Sequence, residues 1–321
     1  MKFMTWRLWV GVARAALTAA AATALTWAWT GGIGVHAAGP GVRHSFIAFG
    51  GDTRIVAEDG TVEWRHPEGT RDGWVLPNGN VLLTLSRSDR HKGGAVHEVT
   101  RSGEVVFHWE GTQEEVNTCQ RIGPDRIMAV EAGPRPRIVV LDGKGSVVLE
   151  RALSCQSTNH HMESRMTRSL ANGRFIVPQL LDKVVREYGP DGKVTWEYRT
   201  PETPPECWPF TAIRTSNGRT LVTLTHGNRV VEVDRKGQVT WSLDNADLPG
   251  PWLKDPCGAQ RLANGNVVIT SYGAGDQKVK LLEVDRRKRV VWTHEEARPG
   301  GIHHFQVLTT NGRKEPWPAL R

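Results

Sequence analysis

The residues best suited to chemistry are histidines and arginines in two short stretches of the chain. They are His160, His161, Arg165, Arg168, His303 and His304. Imidazoles exchange protons near neutral pH, and guanidinium groups bind oxyanions through paired N–H donors. This combination predicts an anion site in which the four histidines are candidate catalytic residues.

Further polar residues recur at similar positions and extend the predicted site. Together with the two arginines, the candidate ligand-binding residues are Asp72, Asn117, Gln120, Arg165, Arg168, Glu206 and Gln260. A zinc site would need three or four ligands, which His160, His161, His303 and Glu206 supply only if their loops converge. No H-x-x-x-H or H-E-x-x-H spacing supports that alternative, so we assign no metal and leave any cofactor unknown.

A sixfold repeat determines where these residues lie. A turn followed by valine and a large side chain recurs as DGTVEW, SGEVVF, KGSVVL, DGKVTW, KGQVTW and RKRVVW, ending at Trp64, Phe107, Leu149, Trp196, Trp241 and Trp292. Successive copies are 43, 42, 47, 45 and 51 residues apart, which is the period of propeller blades. We interpret the large side chains as packing between neighbouring blades.

A second element recurs in step with the first. Asn-Gly lies between apolar runs in LPNGNVLL, LANGRFIV, TSNGRTLV and LANGNVVI, and this dipeptide favours a type I′ hairpin turn. With a third strand between the two motifs, each unit predicts a four-stranded antiparallel blade.

The ends of the repeat predict a closed ring. Residues 45 to 66 supply three strands, and HHFQVLTT near the C-terminal end supplies a fourth. A blade built from both would leave no sheet edge open. The sequence therefore predicts an all-β, six-bladed β-propeller that forms a single domain over residues 38 to 321.

The DGKVTW and LANGNVVIT motifs resemble the repeats of exported bacterial propellers of the arylsulfotransferase-like and quinone-cofactor-like type. The resemblance covers almost all of residues 44 to 313. Quinoprotein dehydrogenases have eight blades and a vicinal cysteine pair, which this sequence lacks. Arylsulfotransferases have six blades and use a histidine nucleophile beside arginine, which agrees with the residues present, but no catalytic motif matches residue by residue.

The first 37 residues have the composition of a secretory signal peptide. Lys2, Arg7 and Arg14 precede an apolar run from Ala15 to Trp29, and cleavage is expected near Ala37. An uncleaved leader would be the chain's contact with a membrane. Without the leader, 38 basic residues face 34 acidic ones, a balance that argues against a nucleic-acid partner. We expect a periplasmic or secreted protein.

Two further groups of residues bear on the site. Cys119, Cys155, Cys207 and Cys257 could pair in an oxidising compartment, with the connectivity open, or remain buried thiols. Basic residues at the start of the third strands could concentrate an anion at the channel mouth. They are Arg54, Arg137, Lys183, Arg229 and Lys280.

The leading functional hypothesis is binding of a small anionic or saccharide-like ligand at a channel mouth rich in histidine and arginine, with turnover left open. An enzyme of this kind would be a transferase, lyase or hydrolase acting on a sulfated aryl or carbohydrate-type substrate. The alternative is a non-catalytic scaffold for protein partners, which would use exposed aromatics such as Trp208, Trp252 and Trp317. The oligomeric state is left open.

Overall fold

The protein is a six-bladed β-propeller with almost no helix. The computed structural model describes residues 41–276 and 278–321, so the predicted signal peptide, residues 1–37, lies outside the described residues. Six antiparallel sheets form the blades, each with four main strands. The predicted fold class is therefore confirmed. No helix in the described part of the chain is long and apolar enough to cross a membrane.

The described residues form 25 strands and three short 3₁₀ turns. In chain order the strands are β1 (His44–Phe49), β2 (Thr53–Val56), β3 (Val62–His66), β4 (Thr70–Val75), β5 (Val81–Leu85), β6 (Ala95–Val99), β7 (Val105–Glu110), β8 (Glu115–Gly123), β9 (Arg126–Ala132), β10 (Arg137–Leu141), β11 (Val147–Ala152), β12 (Arg168–Leu170), β13 (Arg174–Gln179), β14 (Val184–Tyr188), β15 (Val194–Arg199), β16 (Trp208–Arg214), β17 (Thr220–Thr225), β18 (Arg229–Val233), β19 (Val239–Asp244), β20 (Ala259–Arg261), β21 (Val267–Thr270), β22 (Lys278–Val284), β23 (Val290–Glu296), β24 (His304–Thr310) and β25 (Arg313–Lys314). The 3₁₀ turns are His160–Met162, Ala171–Gly173 and Asn245–Asp247.

Blade one takes strands from both ends of the described chain. Its order is β25-β24-β1-β2-β3, and blades two to six use β4 to β7, β8 to β11, β12 to β15, β16 to β19 and β20 to β23. Strand β1 pairs antiparallel with β24, with Ser45 opposite Thr309 and Ala48 opposite Phe305. This pairing is the ring closure that the sequence predicts.

The hydrophobic core is divided into six wedges, one between each pair of neighbouring blades. Between blades two and three, for example, Trp74 and Leu82 pack with Val116 and Ile127. Corresponding clusters fill the other five interfaces. Because each wedge takes side chains from two blades, no blade buries its faces without both neighbours.

The recurring tryptophans join one blade to the next. The indole N–H of Trp196 donates to the main-chain oxygen of Arg235 at 2.9 Å, and the Arg235 guanidinium lies 5.8 Å from the ring centroid. Trp241 makes the same two contacts with Arg286, at 3.2 Å and 5.5 Å. The motif thus combines packing, a hydrogen bond and a cation–π contact across the blade interface.

Buried glutamates in the third strands reinforce the same interfaces. Glu232 on β18 is 3% exposed and is surrounded by Arg219 of its own blade and Arg261 and Arg286 of the next. Glu187 on β14 binds Arg214 and Arg235 in the same manner. Burial opposes ionisation of Glu232, but the arginines outweigh it, and the pKa of Glu232 is lowered.

The Asn-Gly turns differ from the predicted type I′ geometry in most blades. Gly79, Gly218 and Gly265 have φ of 88°, 81° and 86°, but the asparagines before them do not have positive φ. In blade two the Gly79 N–H donates to Leu76 O at 2.9 Å, so the turn has Pro77 and Asn78 at its centre and begins one residue earlier than a type I′ turn centred on Asn-Gly. Gly79 takes the left-handed position that follows the two central residues. Among the described residues, both members have positive φ only at Asn172–Gly173 and Asn311–Gly312.

Removing the closing strand should prevent folding. A chain that ends at Ile302 lacks β24, exposes the edge of β1 and removes Phe305 and Val307 from the wedge between blades six and one. We expect it to aggregate or lack a cooperative thermal transition by circular dichroism. A chain that ends at Glu315 keeps β24 and should still unfold cooperatively; a folded, monomeric chain ending at Ile302 would contradict the closure argument.

Replacing Glu232 with alanine should lower the unfolding free energy by about 3 kcal/mol, which is the low end of the range for a broken buried ion pair. We expect the low end because Arg219 and Arg286, two of its partners, are 40% and 42% exposed. The pKa of Glu232 is lower in the folded chain than its unfolded value of 4.5. The stabilisation by the ionised carboxylate is therefore complete above pH 4.5 and is lost as the pH falls through the pKa of the folded state. The difference from wild type should therefore narrow in acid. Denaturant titration measures it, and Glu104→Ala, at an exposed glutamate, should change stability by less than about 0.5 kcal/mol.

Candidate functional site

The central channel opens on the face where the innermost strands begin. A cavity of 210 Å³ at this mouth is lined by Arg71, His161, Tyr272 and His303 and by the backbone of Gly50 and Gly301. These residues come from five different segments that the ring brings together. We call Arg71, Glu115, His161, Arg165 and His303 the mouth cluster, of which Arg71, His161 and His303 line this cavity.

Three members of the mouth cluster form a hydrogen-bonded chain. The Arg71 Nη2 donates to Glu115 Oε1 at 2.8 Å, and His161 Nδ1 lies 3.0 Å from the same oxygen. Burial opposes ionisation of Glu115, yet its pKa is lowered because His161 and Arg71 stabilise the carboxylate. Glu115 therefore neutralises one guanidinium and positions an exposed imidazole at the rim.

Arg165 is a buried cation without a carboxylate partner. Its side chain is 2% exposed, and Nη1 donates to Ser164 O at 3.0 Å. No acceptor among the described residues bonds its Nε, which is buried. Burial first, and then repulsion from Arg71, lower the pKa of Arg165 to about 10, so it stays charged at neutral pH. An uncompensated buried guanidinium is costly unless an anion or water completes its hydrogen bonds.

Other orphaned polar atoms lie on neighbouring residues. Asn117 Nδ2 donates to Ser164 O at 2.9 Å, but Asn117 Oδ1 and Ser164 Oγ are buried without a protein partner. The Nε of Arg71 is also buried without a hydrogen-bond partner among the described residues. Such atoms in a native fold call for an occupant that supplies donors and acceptors, whether water or ligand.

His303 is held as a neutral imidazole at the mouth. Its Nδ1–H donates to the main-chain oxygen of Arg71 at 3.2 Å, which leaves the Nε2 lone pair available. The rings of Phe210 and Tyr272 meet it edge-on, at centroid distances of 5.0 Å and 5.4 Å. Burial first, and then the charges of Arg165 and Arg71, lower the pKa of His303 to about 3.

Deeper in the channel, several predicted ligand-binding residues bind one another. Arg168 Nη1 lies 2.8 Å from Asp72 Oδ2, Arg321 Nη1 lies 3.2 Å from Asp72 Oδ1, and Thr118 donates to the same carboxylate. Burial opposes ionisation of Asp72, but Arg168 and Arg321 hold its pKa well below its usual value. His304 contacts both guanidiniums, and burial and then Arg321 lower its pKa strongly.

This axial cluster, which consists of Asp72, Thr118, Arg168, His304 and Arg321, forms the floor of the channel. The segment after β25 crosses the opposite end of the channel, where Trp317 packs edge-on against Trp74 at 5.6 Å and Arg261 N donates to Leu320 O at 2.8 Å. This segment ends with Arg321, whose side chain is fully buried and whose Cζ lies 3.8 Å from the centroid of the Trp74 ring. Asp72 thus pairs with both guanidiniums, and the Nε and Nη2 of Arg321 are buried without a hydrogen-bond partner among the described residues.

The remaining predicted site residues have other partners. Gln120 accepts from Ser169 N at 2.9 Å and Gln260 accepts from Val307 N at 2.8 Å, so both tie adjacent innermost strands together. His160 bonds Glu163 at 2.6 Å, which raises its pKa, and Glu206 bonds His226 at 3.1 Å. In the described ranges, His160, His161, His303 and Glu206 do not form a set with metal-ligand spacing.

Sequence reasoning missed Glu115 and Tyr272 at the mouth. Glu115 lies two residues before Asn117, which is a predicted ligand-binding residue, so the sequence repeat already indicated that Glu115 lies near the site. Tyr272 follows β21 and approaches the mouth from the loop before a third strand, which an alignment on the first strands cannot find.

Of the two alternatives left open for the cysteines, the structure has free thiols. All four cysteines are free, and three are buried. Burial raises the pKa of the Cys119 and Cys155 thiols to about 12, so they are inert thiols rather than a disulfide framework.

The basic residues at the third strands do not present free charge to the mouth. Arg54 pairs with Glu296, Arg137 with Glu131 and Arg229 with Asp244. Lys183 pairs with Glu202, while Lys280 is buried and donates to main-chain carbonyl oxygens. Local partners neutralise the field that these cations were expected to provide.

Comparison with known proteins supports the fold. No protein-family model and no curated protein matches the chain in sequence. Among solved structures it is similar to a protein of unknown function from Bacteroides caccae, with 20% identity, a TM-score of 0.71 and coverage of 82% of this chain and 98% of that one.

Two enzymes share the fold at lower similarity. One is a catalytically inactive virginiamycin B lyase from Staphylococcus aureus with quinupristin, at 14% identity, a TM-score of 0.58 and coverage of 86% of this chain and 92% of that one. The other is the periplasmic gluconolactonase of Pseudomonas aeruginosa, at 14% identity, a TM-score of 0.55 and coverage of 78% and 82%. At these identities the likeness establishes a common architecture.

Proposed function

We propose that this chain binds a small organic anion at the channel mouth, in contact with Arg165, Arg71 and His303. The observation that carries the proposal is the buried Arg165 guanidinium, which has no carboxylate partner and an unsatisfied Nε. A neutral sugar would not compensate that charge, whereas a carboxylate or sulfate would both neutralise it and accept its hydrogen bonds.

The charge balance supports a ligand with a single negative group. Arg71 and Arg165 contribute two positive charges and Glu115 one negative charge, while His303 is neutral at physiological pH. These four residues therefore carry about one net positive charge. Beside them, the Tyr272 ring, which is 45% exposed and lines the cavity, offers apolar contact for the organic part of the ligand.

Turnover forms the second half of the proposal, with His303 as the group that accepts a proton from the bound ligand. Its Nε2 has the free lone pair that a base needs, and a bound anion would offset the two guanidinium charges that depress its pKa. A lyase reaction fits this role directly, because the ligand loses a proton to His303 as its leaving group departs. In a hydrolase, or in transfer from a sulfated aryl compound of the kind that the arylsulfotransferase-like repeats suggest, His303 would instead take the proton of the attacking water or acceptor hydroxyl. A virginiamycin B lyase and a gluconolactonase use the same architecture.

The proposal includes export to the periplasm or the medium. It rests on the basic, acid-free start of the chain and its apolar run. The buried thiols agree with an oxidising compartment, because thiols with pKa values of about 12 carry almost no thiolate to react. Cell fractionation of the expressed full chain would test this part.

Replacing Arg165 with alanine should abolish anion binding. In a thermal-shift screen of aryl sulfates, uronates and neutral sugars, the wild-type protein should be stabilised by an anionic compound, because a ligand bound to the native state raises the unfolding temperature. Arg165→Ala should lose that shift, and Arg165→Lys should retain part of it. Arg199→Ala, at a surface arginine 65% exposed, is the matched control and should respond like wild type.

A shift that survives in Arg165→Ala would place the ligand elsewhere. A wild-type protein stabilised only by neutral sugars would contradict the anion proposal. If no compound shifts the wild type, the non-catalytic scaffold becomes the better account of the fold.

Sulfate affinity should rise as the pH falls from 7 toward 4. Bound sulfate offsets the charges of Arg165 and Arg71, so the pKa of His303 is higher in the complex than its value of about 3 in the free protein. Sulfate binding is then coupled to the uptake of a proton by His303 at a pH below the pKa of the complex. This coupling increases the sulfate affinity by up to about tenfold for each unit by which the pH falls. Asp72 also influences His303 but stays ionised in this range.

Isothermal titration across pH measures this slope. His303→Gln should bind sulfate with a flatter profile, while His161→Gln tests the contribution of the exposed rim histidine. An unchanged slope in His303→Gln would remove His303 from the site.

A further inference from the structure

A second cluster of histidines and carboxylates lies in blade two, on elements that the mouth cluster does not use. His91 precedes β6, His97 lies on β6 and Glu110 ends β7. One potential ligand atom from each of the three lies within 4.8 Å of the others, and this is the one group of three or more such residues among the described residues with this spacing. Strand pairing places Ala95 opposite Glu110 and His97 opposite His108, so the sheet register brings the cluster together.

The hydrogen bonding of this cluster is incomplete. His91 Nδ1 lies 2.8 Å from Glu110 Oε1, and its Nε2 lies 3.6 Å from Glu68 Oε2. His97 is 9% exposed, and its Nε2 is buried with no hydrogen-bond partner among the described residues. The rings of His91 and His97 meet edge-on at 5.2 Å. A buried imidazole nitrogen without a partner among the described residues, next to a second imidazole and a carboxylate, is a donor set suited to a cation.

The surroundings leave room for a bound ion and for a further ligand. The cluster borders a groove of 580 Å³ between blades one and two, which His66, Glu68, His91 and His97 line. The His66 Nε2 is also buried without a partner. Glu68 lies on the connection between the two blades, so a metal bound to it would cross-link that connection to blade two.

The donor types select the metal. Two imidazoles and one carboxylate are ligands for Zn²⁺ and for neighbouring late transition metals, whereas Ca²⁺ and Mg²⁺ take oxygen donors. Zn²⁺ bound by three protein ligands retains a fourth position for water or Glu68. The sequence did not reveal this site because His91 and His97 are six residues apart and Glu110 belongs to another strand.

We propose that His91, His97 and Glu110 form a Zn²⁺ site at the groove between blades one and two, with its fourth coordination position toward Glu68. The site is independent of the channel mouth, because it shares no residue with the mouth cluster.

Zinc titration of the metal-free full chain tests this proposal. By isothermal titration we expect one Zn²⁺ per chain and no binding of Ca²⁺. His97→Gln should weaken Zn²⁺ affinity by at least about 100-fold, since even the loss of an outer partner of a metal ligand typically costs 10- to 100-fold. Glu110→Gln should also weaken it, and because Glu110 is 45% exposed this variant should keep the wild-type fold if His97→Gln does not.

His226→Gln is the matched control. His226 is 44% exposed and pairs with Glu206 at 3.1 Å, so it reproduces a surface His–Glu contact outside the cluster. It should bind Zn²⁺ as wild type does. Arg165→Ala should also keep its Zn²⁺ affinity, so failure of the anion site and failure of the zinc site are separable.

The absorption of bound Co²⁺ gives a second readout. Tetrahedral Co²⁺ in the wild-type protein should show intense visible bands that weaken in His97→Gln and Glu110→Gln. The proposal would be overturned if the wild-type protein bound no Zn²⁺. It would also be overturned, in favour of binding by scattered surface histidines, if His97→Gln, Glu110→Gln and His226→Gln all weakened Zn²⁺ binding equally.

Discussion

The antiparallel pairing of β1 with β24 is the contact on which the rest of the structure depends. Each of the six core wedges needs two blades, so an open array would leave one face of its first blade and one face of its last blade in water. The β1–β24 pair joins residues more than 250 positions apart, such as Ser45 and Thr309, and completes the wedge between blades six and one. The entropy of closing so long a loop rises only slowly with its length, and the surface buried in that wedge offsets it.

The closed ring places charged side chains close to its axis, and their partners decide what each does. Asp72 lies between Arg168 and Arg321 and forms an ion pair with each, and these side chains form a floor. Arg165, from the same entry segment as Arg168, has no such carboxylate. Two arginines three residues apart thus have different roles, because burial is tolerable for a paired guanidinium and leaves an unpaired one in need of a ligand.

The repeat also shows how similar residues serve different purposes. Gln120, Gln260 and Gln306 all accept a hydrogen bond from the backbone of a neighbouring innermost strand, so recurrence at these positions reflects the joining of blades. Departures from the repeat carry more information about chemistry. His303, nine residues before Gly312, has no histidine at the corresponding position of the other five units, and it belongs to the mouth cluster.

The sequence by itself determined the number of blades, their strand order and the closing strand, because these follow from local signals: alternating apolar runs, turn glycines and a period near 45 residues. It also placed Arg165 and His303 near one end of the channel. Only the tertiary structure decided that Asp72, Arg168 and His304 compensate one another while Arg165 remains unpaired, and that His91, His97 and Glu110 meet. Such pairings depend on distances between residues remote in the chain and on which of them water reaches, and no local pattern encodes either.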